Sequence, residues 1–357
     1  MIGMPDVAQG KPPLFDRIEW RDPIGGRPLE PIVAARTPSG VPICGAMRIA
    51  GTNTGYPIVD CVARLTAELA HKHRQWLAEY GLTPPSNSAE QFQDESSVDS
   101  FGFQWAWIGD MRSEADLRMR VAERFGRRPD DFAGEKVLDA GAGAGDQTRY
   151  LNDHGADVVS IDLSGAIEVV ASKMRMRSGW IGVQGDITML PFAERTFDVV
   201  YCEGVIQHTR DSAATVNELV RVTRPGGTIL ATHYVRNEPK SLLRRVKRMI
   251  TGGYYEFLRR RLSRMDRFKR LLTTGNLAAL AYTPILGRLI RATGSALYYD
   301  LMPEFRTTWT NTYDYYGGHT FQRFITNEEF ASYFERAGTV KLEKFEGGVV
   351  VARRTTQ

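Results

Sequence analysis

One stretch constrains this chain more than any other: Lys136-Val137-Leu138-Asp139-Ala140-Gly141-Ala142-Gly143-Ala144-Gly145-Asp146. Its apolar opening suits a short strand buried in a parallel sheet. Three alternating glycines then permit a sharp turn and a close approach of backbone to ligand. Asp146-Gln147-Thr148 leads into a helical run through Leu151. A strand, a glycine turn and a helix N-terminus together form the nucleotide-binding corner of a doubly wound α/β sheet.

The pattern is G-x-G-x-G with Asp139 two residues ahead, which departs from the dinucleotide pattern G-x-G-x-x-G. A carboxylate at the strand end repels a pyrophosphate and attracts a cationic ligand with a free amino group. Val158 to Ser164 reads as a second strand ending in Asp162, placed to take two ribose hydroxyls. Gly185-Asp186-Ile187 closes a third, with an acid able to accept from an adenine amino group. Phe197 to Gly204 reads as a fourth strand and Gly226 to Thr232 as a fifth.

In this order and spacing, Leu138-Asp139-Ala140-Gly141, Ile161-Asp162-Leu163-Ser164, Gly185-Asp186-Ile187 and Leu219 through Gly227 (LVRVTRPGG) make residues 136 to 235 resemble a class I S-adenosylmethionine-dependent methyltransferase. The resemblance implies an α/β fold, a doubly wound Rossmann-like sheet of seven strands. It also implies S-adenosyl-L-methionine as cofactor. The residues implied around it are Asp139, Gly141, Ala142, Gly143, Gln147, Thr148, Asp162, Leu163, Asp186, Ile187, Glu203 and Gly204. The expected organisation is an N-terminal extension with linker over 1–100, the cofactor-binding core over 101–235, a basic helical insertion over 236–302, and an acceptor-side segment with a helix and strand hairpin over 303–357.

The N-terminal part carries a second resemblance. Val41-Pro42-Ile43-Cys44-Gly45 and Gly55-Tyr56-Pro57-Ile58-Val59-Asp60 resemble the zinc-ribbon-like segment that precedes many bacterial methyltransferases. Cys44 lacks a C-x-x-C partner, and Cys61 stands where that family has glycine. Tetrahedral zinc needs four ligands, so a degenerate, metal-free segment is expected. Residues 1 to 40, rich in Pro and Gly, are expected to be irregular. Thr66 to Tyr80 and Asp110 to Phe125 read as helices.

Three widely spaced cysteines imply no disulfide framework, and Met1 to Pro13 has no signal-peptide-like apolar run. A cytoplasmic protein is expected, with peripheral contact at the inner membrane surface as a variant. The net charge of +4 is mild, but its distribution is uneven. Arg236 to Arg291 holds fifteen Lys or Arg against Glu238, Glu256 and Asp266. Apolar residues recur there at helical spacing, as in Leu258, Leu262, Met265, Phe268 and Leu272. Such a surface suits an anionic membrane, a phosphate-bearing substrate or nucleic acid. A solvated cap or a homodimer contact accounts for it equally well. Nucleic acid is least favoured, because no RNA-binding module accompanies the charge.

Methyl transfer from a sulfonium is an in-line displacement governed by positioning of the nucleophile. A hydroxyl acceptor gains from a base, and imidazole suits neutral pH. His208, four residues beyond Gly204, is the first candidate, with His233 and His319 as alternatives. Trp107, Tyr313, Tyr315, Tyr316 and Arg323 are the candidate acceptor contacts, since aromatic and polar groups together suit sugars and similar acceptors. The expected activity is O-methylation of a small-molecule, sugar or glycan-type acceptor in biosynthesis. N- or C-methylation of another natural product or of RNA, a non-catalytic membrane-surface adaptor and an NAD-dependent oxidoreductase are the competing classes.

Overall fold

A computed structural model describes residues 11–86, 102, 112–235, 253, 255–288, 305–316 and 323–356. The described residues divide into two compact units: 11–86, 112–235 and 323–356 form one, and 102, 253, 255–288 and 305–316 form the other. The first unit is built on one sheet of eleven strands. They are β1 (Leu29–Arg36), β2 (Pro42–Ile49), β3 (Gly55–Val59), β4 (Val62–Arg64), β5 (Lys136–Ala140), β6 (Asp157–Asp162), β7 (Trp180–Gln184), β8 (Phe197–Cys202), β9 (Thr223–Thr232), β10 (Val340–Glu346) and β11 (Val349–Arg354). Their order is β1-β2-β3-β4-β7-β6-β5-β8-β9-β11-β10.

The expected seven strands correspond to β5 through β11. The correction is that four more join the same sheet, including β1 inside the stretch expected to be irregular. β4 pairs in parallel with β7, Val62 opposite Gly182 and Arg64 opposite Gln184. What ties it there is burial: Val41, Cys61 and Val62 pack in one apolar cluster with Ala142, Ile167, Val170 and Trp180. Pattern reading missed β1 because only Leu29 is buried on it, the signature of an edge strand. The zinc-ribbon resemblance finds no support: β2 and β3 pair as plain antiparallel strands, and among the described residues no group of three or more His, Cys, Asp or Glu is placed to hold a metal ion.

Between β5 and β9 the pairings are parallel, and the order reverses at β5, which lies between β6 and β8. In doubly wound sheets ligands bind at such a reversal, outside the carboxyl ends of the strands. Helices among the described residues include α1 (Ala67–Lys72) and α2 (Arg74–Glu79), broken at His73, then α3 (Asp146–Asp153), α4 (Ala166–Met174), α5 (Ser212–Val222), α6 (Arg267–Ala281), α7 (Phe305–Tyr316) and α8 (Asn327–Arg336). The expected helix from 110 to 125 is helical over 114–125, α-helical at Glu114–Leu117 and π-helical at Arg118–Glu123.

The second unit is helical. Asp266 caps α6 through Phe268 N at 2.9 Å. Arg270 is buried, and its guanidinium donates to the carbonyls of Leu262, Ser263 and Met265 at 2.9 to 3.0 Å. Trp309 Nε1 donates to Leu271 O at 2.9 Å, joining α7 to α6. A Cβ on Gly275 would come within 2.9 Å of that indole, so the helix contact requires glycine there. Among the described residues no helix is long and apolar enough to cross a membrane.

Candidate functional site

The site grows from the end of β5. Gly141, Gly143 and Gly145 have φ of 85°, 52° and 82°, a left-handed backbone that glycine tolerates best. At Gly141 the requirement is also steric, because a Cβ would collide with Val205 Cγ2 in the turn after β8. Two chain segments therefore meet at contact distance over the strand ends, and α3 starts immediately beyond.

Asp139 is 2 % exposed on β5. Thr148 Oγ1 donates to its Oδ2 at 2.6 Å. Burial, opposed by the Thr148 bond and aided by repulsion from Asp162, pushes its carboxyl up to about 7. A buried acid poised near neutrality suits a cation that would hold it ionised. Asp162 ends β6 and accepts from Gly143 N at 2.9 Å, Ser164 N at 2.9 Å and Ser164 Oγ at 2.7 Å. A carboxylate has about four acceptor positions, so one is left for a ribose hydroxyl. Asp186, past β7, accepts from Thr188 N and Oγ1 at 2.8 Å, both on Oδ1. Its second oxygen keeps acceptor capacity for an amino group. The three acids thus stand at the carboxyl ends of three adjacent strands.

Several expected contacts hold different positions. Thr148 is fully buried and shares its hydroxyl between Asp139 and Ser160 Oγ, the latter at 2.7 Å. It positions Asp139 rather than facing a ligand. The Ile187 side chain belongs to the apolar core, so only its backbone is available. Leu163 and Ala142 flank the acids, and the Leu163 carbonyl accepts from Gln184 Nε2 at 3.2 Å. Gly204 is exposed with φ 74°, and its N–H donates to Thr232 Oγ1 at 2.8 Å.

Glu203 is the largest departure. Its side chain is 8 % exposed and receives Tyr201 Oη at 2.6 Å, Arg120 Nη1 at 3.0 Å, Arg124, Gln147 Nε2 at 3.4 Å and Arg112 Nη1 at 3.5 Å. Burial raises its carboxyl, and the three guanidiniums overcome that and hold it down at about 2. Asp116 shares the cluster, taking Arg120 Nε on both oxygens at 3.0 Å. Glu203 is therefore the anchor that fastens residues 112–124 to the sheet, with Gln147 as a further donor. Sequence reasoning missed the arginines, although Arg112, Asp116, Arg120 and Arg124 recur every four residues, the spacing of one helix face.

The histidines separate in the same way. His208 closes the short 3-10 turn Ile206–His208, is half-buried, and meets the Tyr234 ring edge-on at 5.8 Å between centroids. His233 is 3 % exposed; its Nδ1 is 3.0 Å from Tyr234 O, its Nε2 3.4 Å from Ser212 Oγ, and its ring packs on Phe330. Burial lowers its basicity, with the Tyr234 carbonyl opposing. Both ring nitrogens are engaged inside the fold, so His233 is a packing residue. His319 and Trp107 lie outside the described residues. Arg323 N donates to Gln207 O at 2.9 Å, which brings this stretch beside the His208 turn. Gln207 itself is fully buried, and neither side-chain amide atom has a hydrogen-bond partner. Tyr313, Tyr315 and Tyr316 lie on α7 of the second unit; Tyr313 and Tyr316 are buried, and Tyr315 stacks on Tyr255 at 4.3 Å.

Comparison with known proteins agrees with this geometry. Residues 138–231 match the methyltransferase domain family. The matched span runs from β5 to β9 and so includes all three acids. The chain is 38% identical over 117 residues to a demethylmenaquinone methyltransferase of Beutenbergia cavernae, covering 33% of this chain and 46% of that protein. It is 34% identical over 117 residues to a malonyl-[acyl-carrier protein] O-methyltransferase of Enterobacter lignolyticus, covering 33% and 46%. A ubiquinone biosynthesis O-methyltransferase of Pseudomonas fluorescens is 29% identical over 167 residues, covering 43% and 72%. The chain spans about half the length of the first two relatives. The match supports S-adenosylmethionine as the cofactor of this domain.

Proposed function

We propose that the protein is an S-adenosylmethionine-dependent methyltransferase that methylates an oxygen of a small-molecule, sugar or glycan-type acceptor. The observation that carries the reading is Asp139, a buried carboxylate held near neutrality behind a glycine turn that cannot accept a Cβ. Such an acid asks for an ammonium group, and Asp162 and Asp186 stand at the ends of neighbouring strands to take a hydroxyl and an amine. When bound, the cofactor supplies an electrophilic methyl group on sulfur. The chain's part is to hold that ligand by its acids and to keep water away with Val205 and the turn that follows. His208, in that turn, accepts the acceptor's proton in this reading, and Arg323 approaches from the adjoining stretch. The relatives' names, two of them O-methyltransferases, support methylation of an oxygen on a small molecule and say nothing of sugars.

The test is calorimetric titration with S-adenosylmethionine and with its demethylated product, run beside NAD. Saturable heat with the first two and none with NAD supports the assignment. Heat with NAD alone would replace it with an oxidoreductase. A screen of hydroxyl acceptors with methyl-labelled cofactor then finds the acceptor.

A further inference from the structure

The methyl-transfer reading leaves the second unit without a task, yet its described residues are strongly basic. Apart from the buried Arg270, residues 253–288 carry seven Lys or Arg against Glu256 and Asp266, and no acid occurs from Arg267 through Tyr299. The same unit also leaves large apolar side chains exposed. On α6, Phe268 is 52% exposed and Leu272, one turn on, is 66% exposed. Just beyond its end, Ile285 is 77% and Leu286 44% exposed. The opposite stripe of α6, Leu271, Thr274, Ala278 and Ala281, is buried. The helix is thus amphipathic in the ordinary sense and has a second apolar stripe turned outward.

We infer that this face docks on an anionic lipid bilayer, with Phe268, Leu272 and Ile285 entering the headgroup boundary. Exposed arginines such as Arg260, Arg261 and Arg264 meet the lipid phosphates. Three observations favour this occupant. Cations beside exposed aliphatics suit an interface where charge attracts and apolar area inserts. A second copy of the same face is disfavoured, because two surfaces of the same strong positive charge repel. RNA would use the arginines but has no use for Leu272 and Ile285, since its recognition rests on stacking and hydrogen bonds. The inference is independent of the methyl-transfer reading, as none of these residues belongs to the cofactor site.

The experiment is co-sedimentation of the full chain with vesicles of phosphatidylcholine alone and of phosphatidylcholine mixed with phosphatidylglycerol. Binding to the anionic vesicles only is expected, and it should fall as salt is raised, because screening shortens to about 3 Å near 1 M. Replacing Arg260→Gln, Arg261→Gln and Arg264→Gln should lower partitioning about fivefold per charge removed. Leu272→Ser with Ile285→Ser should lower it while leaving the charge unchanged. Both variants alter exposed positions, and an unchanged melting temperature confirms that each remains folded. No binding to the anionic vesicles, equal binding to neutral ones, or binding that survives both sets of substitutions overturns the inference. So does capture of single-stranded RNA by a protein that ignores vesicles.

Discussion

Asp139 sets the pH behaviour of the site. Its carboxyl, ordinarily near 3.8, stands at about 7 in the fold. Between those values the folded chain holds a proton that the unfolded chain has released, so Asp139 opposes folding increasingly as pH rises from 4 to 7. A bound ammonium group needs the ionised form. Affinity for S-adenosylmethionine should therefore rise about tenfold per pH unit up to neutrality and level off above it. Calorimetry across pH 5.5 to 8.5 checks this, and Asp139→Asn should bind at least tenfold more weakly with a flat profile (about 1.4 kcal/mol or more). At His208 the expectation is kinetic. His208→Ala should leave cofactor affinity unchanged and lower turnover at least about tenfold, the low end of the loss of a general base; unchanged turnover removes it from the mechanism. The acids were legible in the sequence because each follows an apolar strand. The fates of Thr148, Ile187 and His233 were not, since a side chain's partner across the sheet leaves no trace in its own neighbourhood.

At the scale of the element, the segment from Arg112 to Arg124 is held by charge. Glu203, ordinarily at 4.5, stands at about 2 because three guanidiniums surround it. A depressed acid stabilises the fold above its unfolded pKa and loses that contribution as pH falls toward the folded value. Glu203 should thus contribute fully above pH 4.5 and be lost on approach to pH 2, a window absent in Glu203→Gln. That substitution leaves three clustered cations and should cost about 3 kcal/mol, measured by denaturant unfolding at pH 7. The turn between β3 and β4 makes a contrasting case. Asp60 and Cys61 have φ of 52° and 67°, so Cys61 occupies a position that favours glycine. Cys61→Gly should be about 1 kcal/mol more stable than Cys61→Ala, because both lose the thiol and only Gly relieves the backbone.

Across the whole molecule, the sheet is the unit of stability in the first compact body. β4 joins residues 11–86 to β7, and Val62 is fully buried at that junction. Val62→Asp places a carboxylate among Val41, Met174 and Trp180. It should lower stability by more than about 3 kcal/mol, read as a fall in melting temperature. The sequence by itself determined the glycine turn, the five strands β5 to β9 along the chain and the three acids, because each rests on a short apolar run with its own punctuation. The closing helix and hairpin were readable on the same ground, Thr326 capping α8 through Glu329 N at 3.1 Å. Only the tertiary structure decided that β1 to β4 extend the same sheet, that Glu203 binds arginines, and that Leu272 and Ile285 are left exposed. Those outcomes depend on which surfaces meet, and partners distant along the chain become neighbours only once the sheet has formed.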